Sequence, residues 1–233
     1  MKTNIGILLF ILSVTCFANT SAQECSDVLF MKKGALLTYT DYSKKGKELS
    51  STVHETISVT QENEEHHAVI KATKKDKKGK ETFATNFNTR CNGGLFSVDM
   101  MRFMDYDKLS EQQKEGVALE IDGDVLEFPV NSNVGDELDD GHINLKLNSQ
   151  GFTLVTMTFD IKNRKIIGEE NITTPAGTFA CQKITFDFES KFGFIKVKGS
   201  GIEWYHDNVV VIKSESYNKK GNLTGYHQLT GIQ

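Results

Sequence analysis

The stretch TLVTMTFDI, residues 153–161, alternates between apolar and polar side chains over most of its length. As a β-strand it would place its valine, methionine, phenylalanine and isoleucine on one face, and most of its threonines and its aspartate on the other. A period of two in strand-favouring residues is typical of a strand with one buried face. The stretch therefore predicts an antiparallel sheet that is apolar on one side.

Similar patterns recur along the chain, at 36–42, 53–60, 68–73, 83–91, 117–121, 179–188, 195–197 and 209–217. Between these segments lie turns with a hydroxyl or Asx residue first and glycine fourth: SKKG (43–46), DKKG (76–79), NSQG (148–151), TPAG (174–177), SKFG (190–193) and NKKG (218–221). In such turns the first side chain accepts a backbone N–H and glycine takes the left-handed conformation. The dipeptides NG at 92–93 and DG at 122–123 predict tighter two-residue turns.

These segments predict a mainly β fold, an antiparallel meander of about ten or more strands that forms a curved sheet or half-open barrel. One short helix is expected within 99–115, where an apolar side and a stop at Gly116 are present. The apolar side consists of Met100, Met101, Met104 and Leu109. We divide the chain into a signal peptide, residues 1–22, and a single β-rich domain, residues 23–233.

The first 22 residues have the organisation of an export signal. Lys2 precedes the apolar run IGILLFILSV (5–14), and TSA (20–22) offers small residues before a cut at Gln23. The alternatives are a membrane anchor, for which the apolar run is short, and lipid attachment at Cys16, which lacks the usual leucine three residues earlier. We expect an exported protein in the periplasm, at the outer membrane or outside the cell.

Composition excludes two broad classes of protein. The chain is 38% hydrophobic, which is too high for general disorder, and it carries 27 basic against 31 acidic residues. Loss of Lys2 takes the net charge from −4 to about −5, whereas a nucleic-acid binder usually has a basic excess. No later stretch approaches the roughly 20 apolar residues that span a bilayer, so no transmembrane segment is expected after cleavage.

Three cysteines remain after cleavage: Cys25, Cys91 and Cys181. An oxidising compartment permits one internal disulfide and leaves one thiol. Cys91 shares its strand parity with the apolar side chains Phe83 and Phe87, whereas Cys181 has the parity of Lys183 and should lie on the wetter face. A Cys25–Cys91 disulfide and a free, exposed Cys181 are therefore expected.

The sequence offers no strong catalytic or metal-binding motif. The six histidines are scattered, no cysteine pair has zinc-site spacing, and no nucleophile elbow or phosphate loop occurs. DELDDGH (136–142) has the wrong spacing for a calcium loop, and His54 is expected to be solvated. We expect no catalytic residues, no cofactor, no metal and no enzyme activity, and the sequence does not identify ligand-binding residues.

Several segments carry a resemblance to a known family: KKDKKGK (74–80) with RCNGG (90–94), TTPAGTFACQKI (173–184), and EW (203–204) with KSESY (213–217). They are similar to the TapB-like family of exported bacterial proteins, of Bacteroidetes type, which forms a domain of unknown function. The chain departs from that pattern at NVV (208–210), where the family has two glycines. The resemblance implies an envelope location and a curved antiparallel sheet, and it carries no catalytic residues.

Two hypotheses of function follow. In the first, the concave face of the curved sheet binds an apolar or lipid-like ligand under the helix, because the strands carry Phe83, Phe87, Phe159, Phe186 and Phe188. In the second, the protein is a structural or interaction module of the cell envelope that binds a protein or glycan partner through strand edges or lysine-tipped hairpins.

Overall fold

Fourteen antiparallel strands form one sheet in the computed structural model, which describes residues 25–93, 95–103, 117–129, 132–206 and 210–233. The strands are β1 (Leu36–Ser43), β2 (Glu48–Glu62), β3 (Glu65–Asp76), β4 (Glu81–Asn92), β5 (Leu95–Asp99), β6 (Val117–Gly123), β7 (Val125–Pro129), β8 (Glu137–Leu138), β9 (Gly141–Ser149), β10 (Phe152–Thr174), β11 (Gly177–Phe192), β12 (Ile195–His206), β13 (Val210–Asn218) and β14 (Leu223–Ile232). The predicted mainly β, antiparallel fold is confirmed.

The sheet curls into a nearly closed barrel. Its strand order is β6-β9-β10-β11-β12-β13-β14-β1-β2-β3-β4-β5-β7, with the short β8 paired to β10. The two ends of this path, β6 and β7, are separated only by Asp124, whose backbone N–H donates to the carbonyl of His142 at 2.8 Å. The strands at the two ends of the path, β6 and β7, are therefore successive parts of one stretch of chain, and this stretch joins the two edges of the sheet.

The barrel has two distinct ends. Five turns lie together at one of them, which we call the hairpin end: 43–48, 76–81, 149–152, 192–195 and 218–223. The strand pairing places them there, because neighbouring strands are antiparallel throughout the path and each of these turns joins two neighbours.

The N-terminal segment plugs the opposite end. Two short 3-10 turns, Cys25–Asp27 and Leu29–Met31, bury Phe30 and Met31 among core side chains. The ring of Phe30 lies 6.1 Å from that of Phe87 and 6.4 Å from that of Phe96. A disulfide between Cys25 and Cys91 fastens the plug to the end of β4. It is the pairing that strand parity favoured.

The three Lys-Lys-Gly turns form as expected from their sequence. Gly46, Gly79 and Gly221 have φ of 74°, 79° and 73°, and each donates its N–H to the carbonyl of the first turn residue. The Oδ1 of Asp76 accepts two backbone N–H groups, from Lys78 at 2.8 Å and Lys80 at 3.0 Å. These turns therefore close by local chemistry alone.

The predicted helix within 99–115 is described only in its first residues. Asp99 ends β5, and Met100–Phe103 form a 3-10 turn that buries Met100 and Met101 in the core. Residues 104–115 of that prediction lie outside the described residues, as does the whole expected signal peptide.

Two local predictions were wrong. The dipeptide DG at 122–123 does not reverse the chain, because Gly123 ends β6 and the chain continues into β7. His54 does not face solvent, because the register of β2 with β3 shifts between Thr56 and Ser58. This bulge exchanges the faces of the strand, so that Thr52, His54 and Thr56 point inward before it and Val59 packs on the core after it.

Glycine is required where β12 passes under the rings of β11. A Cβ at Gly201 would lie 2.2 Å from Cζ of Phe186, and one at Gly199 would lie 2.1 Å from the carbonyl oxygen of Tyr217. Because Phe186 is opposite Gly201 in the register, its ring covers the bare backbone of the neighbouring strand. Large aromatic side chains can therefore lie flat inside the barrel at this point.

We predict that Gly201→Ala lowers the free energy of unfolding by about 1–3 kcal/mol, because the added methyl group forces the Phe186 ring from its place. Urea denaturation measures the change. The matched control is Gly168→Ala in β10, where a Cβ would meet nothing within 4 Å. Equal losses in the two variants would contradict the packing argument.

We also predict that the Cys25→Ser, Cys91→Ser double variant unfolds more easily. The disulfide joins residues 66 apart, and removing a link of that span costs about 4 kcal/mol in the chain-entropy account. A reducing agent should move the urea midpoint of the wild-type protein toward that of the variant and leave the variant unchanged. A wild-type midpoint that ignores the reductant would refute this role for the link.

Candidate functional site

A cavity of about 280 Å³ lies inside the barrel, between the plug and the hairpin end. Its lining comes from strands that are far apart in the sequence, which the closure of the sheet brings to face one another. The lining is polar on one side and aromatic on the other. We take this cavity as the candidate functional site.

The aromatic wall consists of Phe159, Phe186 and Phe188, from β10 and β11. The rings of Phe159 and Phe188 stack with their centroids 5.8 Å apart and 24° between their planes. Phe159 belongs to the alternating stretch 153–161, and its inward direction agrees with the parity predicted for that strand. This wall can cover an apolar group of a ligand.

The polar wall is centred on the carboxylate of Asp41 in β1. Its Oδ2 accepts the hydroxyl of Ser50 at 2.8 Å and lies 3.5 Å from Nζ of Lys74, while its Oδ1 lies 3.9 Å from Nδ1 of His227. Asp41 is opposite both Ser50 and His227 in the register, so the pairing of β1 with its two neighbours assembles this group. The wall offers charged groups that already have partners.

The floor of the cavity holds a buried ionic cluster. Arg102, from the 3-10 turn after β5, donates from Nη2 to Oε2 of Glu203 at 2.9 Å and to the hydroxyl of Tyr205. The Tyr205 hydroxyl in turn donates to Glu203. Burial raises the pKa of Tyr205 well above its ordinary value, so that its proton stays in place. The cluster fixes β12 against the turn that follows β5.

A second buried arginine lies close to this cluster. Arg164 is only 2% exposed, and it donates to the backbone carbonyls of Asp139 at 2.7 Å and Glu127 at 3.2 Å. Its guanidinium carbon lies 4.5 Å from the centre of the Phe128 ring. Burial lowers the pKa of Arg164, which the fields of Tyr205 and Glu203 partly oppose.

His54 lies at the edge of the floor among aromatic rings. Its ring centroid is 5.0 Å from that of Tyr39 and 5.2 Å from that of Phe87. Burial lowers its pKa from 6.5 to about 3, and the positive charge of Arg102 adds to the effect. Its Nδ1 is buried and has no hydrogen-bond partner among the described residues.

The electrostatics of the cavity are balanced. Lys74 and Arg102 each have a carboxylate partner, Asp41 and Glu203 respectively. Burial also lowers the pKa of His227, so both histidines of the lining favour the neutral form. The lining therefore suits an uncharged or zwitterionic polar group better than a strongly charged one.

Cys181 corrects one sequence prediction. It remains a thiol, as expected, but it is buried rather than exposed. The parity of the strand was assigned correctly, since Cys181 shares its face with Lys183, but that outer face is not solvated here. Trp204 is also buried on this face, where the ammonium groups of Lys183 and Lys213 lie 5.1 and 5.0 Å from the centre of its ring.

Sequence reasoning found only the aromatic part of the site. Of the five phenylalanines that suggested an apolar ligand, the structure brings Phe159, Phe186 and Phe188 to the cavity and buries Phe83 and Phe87 in the core. The polar residues were missed because they come from positions between 41 and 227, and no local motif joins them. The inward position of His54 depends on the bulge in β2, and this bulge is visible only in the pairing of β2 with β3.

Two features are absent from the part of the chain that the structure describes. No group of three or more His, Cys, Asp or Glu side chains is placed to hold a metal ion within it. In the same residues, no helix has the length and apolar character needed to cross a membrane.

Comparison with known proteins identifies relatives of this architecture. Residues 32–229 match the DUF3108-like family. No curated protein gives a significant match. The matching family does not carry the TapB-like name, so that resemblance stays a prediction.

Two solved structures share the fold. One is a Bacteroides fragilis protein inferred to be exported, with a YmcC-like fold; it is 26% identical, with a TM-score of 0.74, and the alignment covers 87% of this chain and 96% of that one. The other is a Parabacteroides distasonis protein inferred to be a lipoprotein; it is 21% identical, with a TM-score of 0.73, and the alignment covers 88% of this chain and 99% of that one.

We predict that His54 makes the fold sensitive to acid. In the unfolded chain the histidine binds a proton below its ordinary pKa of 6.5, whereas in the folded chain it binds one only at about pH 3. The free energy of unfolding therefore decreases as the pH is lowered through this window. When the pH is lowered from about 7 to about 5, the free energy of unfolding of the His54→Gln variant should decrease by about 1–2 kcal/mol less than that of the wild-type protein. Urea denaturation at both pH values measures this, and parallel losses would contradict it.

Proposed function

The chain belongs to the DUF3108-like family, and from that premise we propose that it is an exported, non-enzymatic protein that binds a small amphiphilic ligand inside its barrel. The observation that carries the proposal is the two-sided cavity, with stacked phenylalanines on one wall and partnered polar groups on the other. A ligand with one apolar part and one uncharged or zwitterionic polar part fits this lining.

The size of the cavity restricts the ligand. At about 280 Å³ it lies just below the range for small-molecule sites, which is about 300–1,000 Å³. A whole membrane lipid is too large for such a volume. The ligand is therefore a small molecule, or one end of a longer amphiphile whose remainder lies outside the cavity.

Export is supported by three observations of different kinds. The sequence begins with an apolar stretch of the export-signal type, and the similar proteins from Bacteroides and Parabacteroides are inferred to be exported or to be lipoproteins. The Cys25–Cys91 disulfide suits an oxidising compartment. We therefore propose an envelope or extracellular location.

An interaction module of the envelope is the second candidate, but the fold removes part of its basis. Strand edges were one proposed route to a partner. In the structure β6 and β7, at the ends of the sheet, are joined through Asp124. The lysine-tipped hairpins continue to favour a surface partner.

The test is ligand retention by the mature protein, residues 23–233, purified from its native host without detergent. Native mass spectrometry before and after denaturation should show a released mass of a few hundred daltons. Titration with N-phenyl-1-naphthylamine, a neutral aromatic probe, should show saturable binding of one molecule. Ser214→Phe, which fills the buried polar side of the cavity, should weaken that binding by at least about tenfold.

The matched control is Ser51→Phe. Ser51 directly precedes the lining residue Thr52 in β2, so its side chain points to the opposite face of the strand from Thr52 and His54. Ser51 is only half-buried. It should leave probe binding unchanged. Absence of both a released mass and saturable probe binding, or equal effects of the two substitutions, would overturn the proposal.

A further inference from the structure

The hairpin end is rich in positive charge. Four of its turns, 43–48, 76–81, 149–152 and 218–223, together with the turn 192–195 and three strand residues on each side of it (189–198), contain eleven lysines and four carboxylates, although the whole chain has a net charge of −4. The lysines at the three Lys-Lys-Gly tips are exposed. Charge of one sign collected on one end of a molecule creates a field that attracts surfaces of the opposite sign.

One of these segments concentrates the charge further. Glu189 lies within ion-pair distance of three ammonium groups, those of Lys191, Lys196 and Lys198. Hydrogen bonds from Lys196 and Lys198 lower the pKa of Glu189 to about 2. Three cations around a single carboxylate leave this part of the end basic.

Large apolar side chains are exposed beside these lysines. Phe194 is fully exposed, and Phe152, Leu154 and Ile195 are exposed to 74%, 60% and 64%. They belong to two neighbouring hairpins, since the N–H of Gly193 donates to the carbonyl of Thr156 at 3.2 Å and Phe192 is opposite Met157. These four exposed side chains, which we call the apolar patch, lie at or next to the tips of two neighbouring hairpins of the basic end.

Solubility alone explains the lysines but not this patch. Lysine at a hairpin tip discourages edge-to-edge aggregation. A fully exposed phenylalanine acts in the opposite direction, and clustered exposed apolar groups mark a contact surface. The apolar groups stand on protruding tips, which suits entry into a soft layer.

We propose that the hairpin end docks on the surface of a bilayer that contains anionic lipids. The lysines contact the phosphate-bearing headgroups, and Phe152, Leu154, Phe194 and Ile195 enter the boundary between headgroups and acyl chains. Basic residues combined with protruding aromatic and aliphatic side chains are the combination that holds proteins at such an interface. Because both interactions contribute to binding of the membrane, neither the attraction between charges nor the apolar contact needs to be strong by itself.

The docked orientation places the cavity toward the membrane. Asp41, Lys74 and Ser216 line the cavity, and each lies two residues from the end of its strand at the hairpin end. Lys198 and Lys219 line a separate depression of about 540 Å³ that shares Phe188 with the cavity. If the proposed function also holds, an amphiphile can pass between bilayer and cavity without crossing bulk water.

The experiment is co-sedimentation of the mature protein, residues 23–233, with two kinds of vesicle. One is phosphatidylcholine alone, and the other is phosphatidylcholine mixed with phosphatidylglycerol. We expect binding to the mixed vesicles, weakened by salt, and at least about tenfold weaker binding for Lys219→Glu, Lys220→Glu. The Phe194→Ser, Ile195→Ser variant should also bind more weakly but keep the salt dependence of the wild-type protein.

Matched controls come from the plugged end and its loops. Lys32→Glu, Lys33→Glu makes the same charge change on exposed lysines, and Val134→Ser removes an apolar side chain that is 56% exposed. Both should bind vesicles as the wild-type protein does. Far-UV circular dichroism and naphthylamine binding check that each variant is folded and show whether the cavity works independently of docking.

Three results would overturn the docking proposal. They are absence of binding to mixed vesicles, equal binding to both kinds of vesicle, and equal losses in the control and hairpin variants. Binding to a soluble polyanion such as heparin, without binding to vesicles, would instead assign the basic end to an anionic glycan. Probe binding by the cavity could persist in every one of these cases, so failure of docking is distinguishable from failure of the proposed function.

Discussion

The rest of the structure depends on how the two ends of the sheet are joined. An open edge leaves a row of unpaired backbone groups, and a long sheet curls because its strands twist. Here the stretch from β6 to β7 bonds to β9 on one side of Asp124 and to β5 on the other. One short piece of chain thereby joins both ends of the sheet and gives the barrel an inside.

The close approach at this junction is made possible by small residues. A Cβ at Gly141 would lie 2.4 Å from Cδ2 of Leu126 and 2.9 Å from Sδ of Met100. Because β9 has no side chain there, β7 and the 3-10 turn after β5 can pack against it. The same turn places Arg102 beside Glu203, so the junction and the floor of the cavity are parts of one packing arrangement.

The interior is divided by the chemistry of its side chains. Near the plug, apolar side chains fill the space, and the disulfide holds Phe30 among them. Nearer the hairpin end, charged groups and histidines face a phenylalanine wall, and space remains between them. Buried ions are tolerated there because each has a partner, which is the condition under which their desolvation is compensated. The barrel is therefore filled near the plug and hollow nearer the hairpin end.

The sequence by itself determined the local features of this protein. The alternation in 153–161 and the turn residues at 43–46, 76–79 and 218–221 act over a few residues, and the structure follows them. Tertiary structure decided which residues are inside where the strand pairing is irregular or where an outer face is buried. A single bulge in β2 turned His54 inward, and Cys181 is buried on the face expected to be wet. Parity sorts residues into two faces, but bulges reset it, and only closure of the sheet brings Asp41, Lys74 and Glu203 around one cavity.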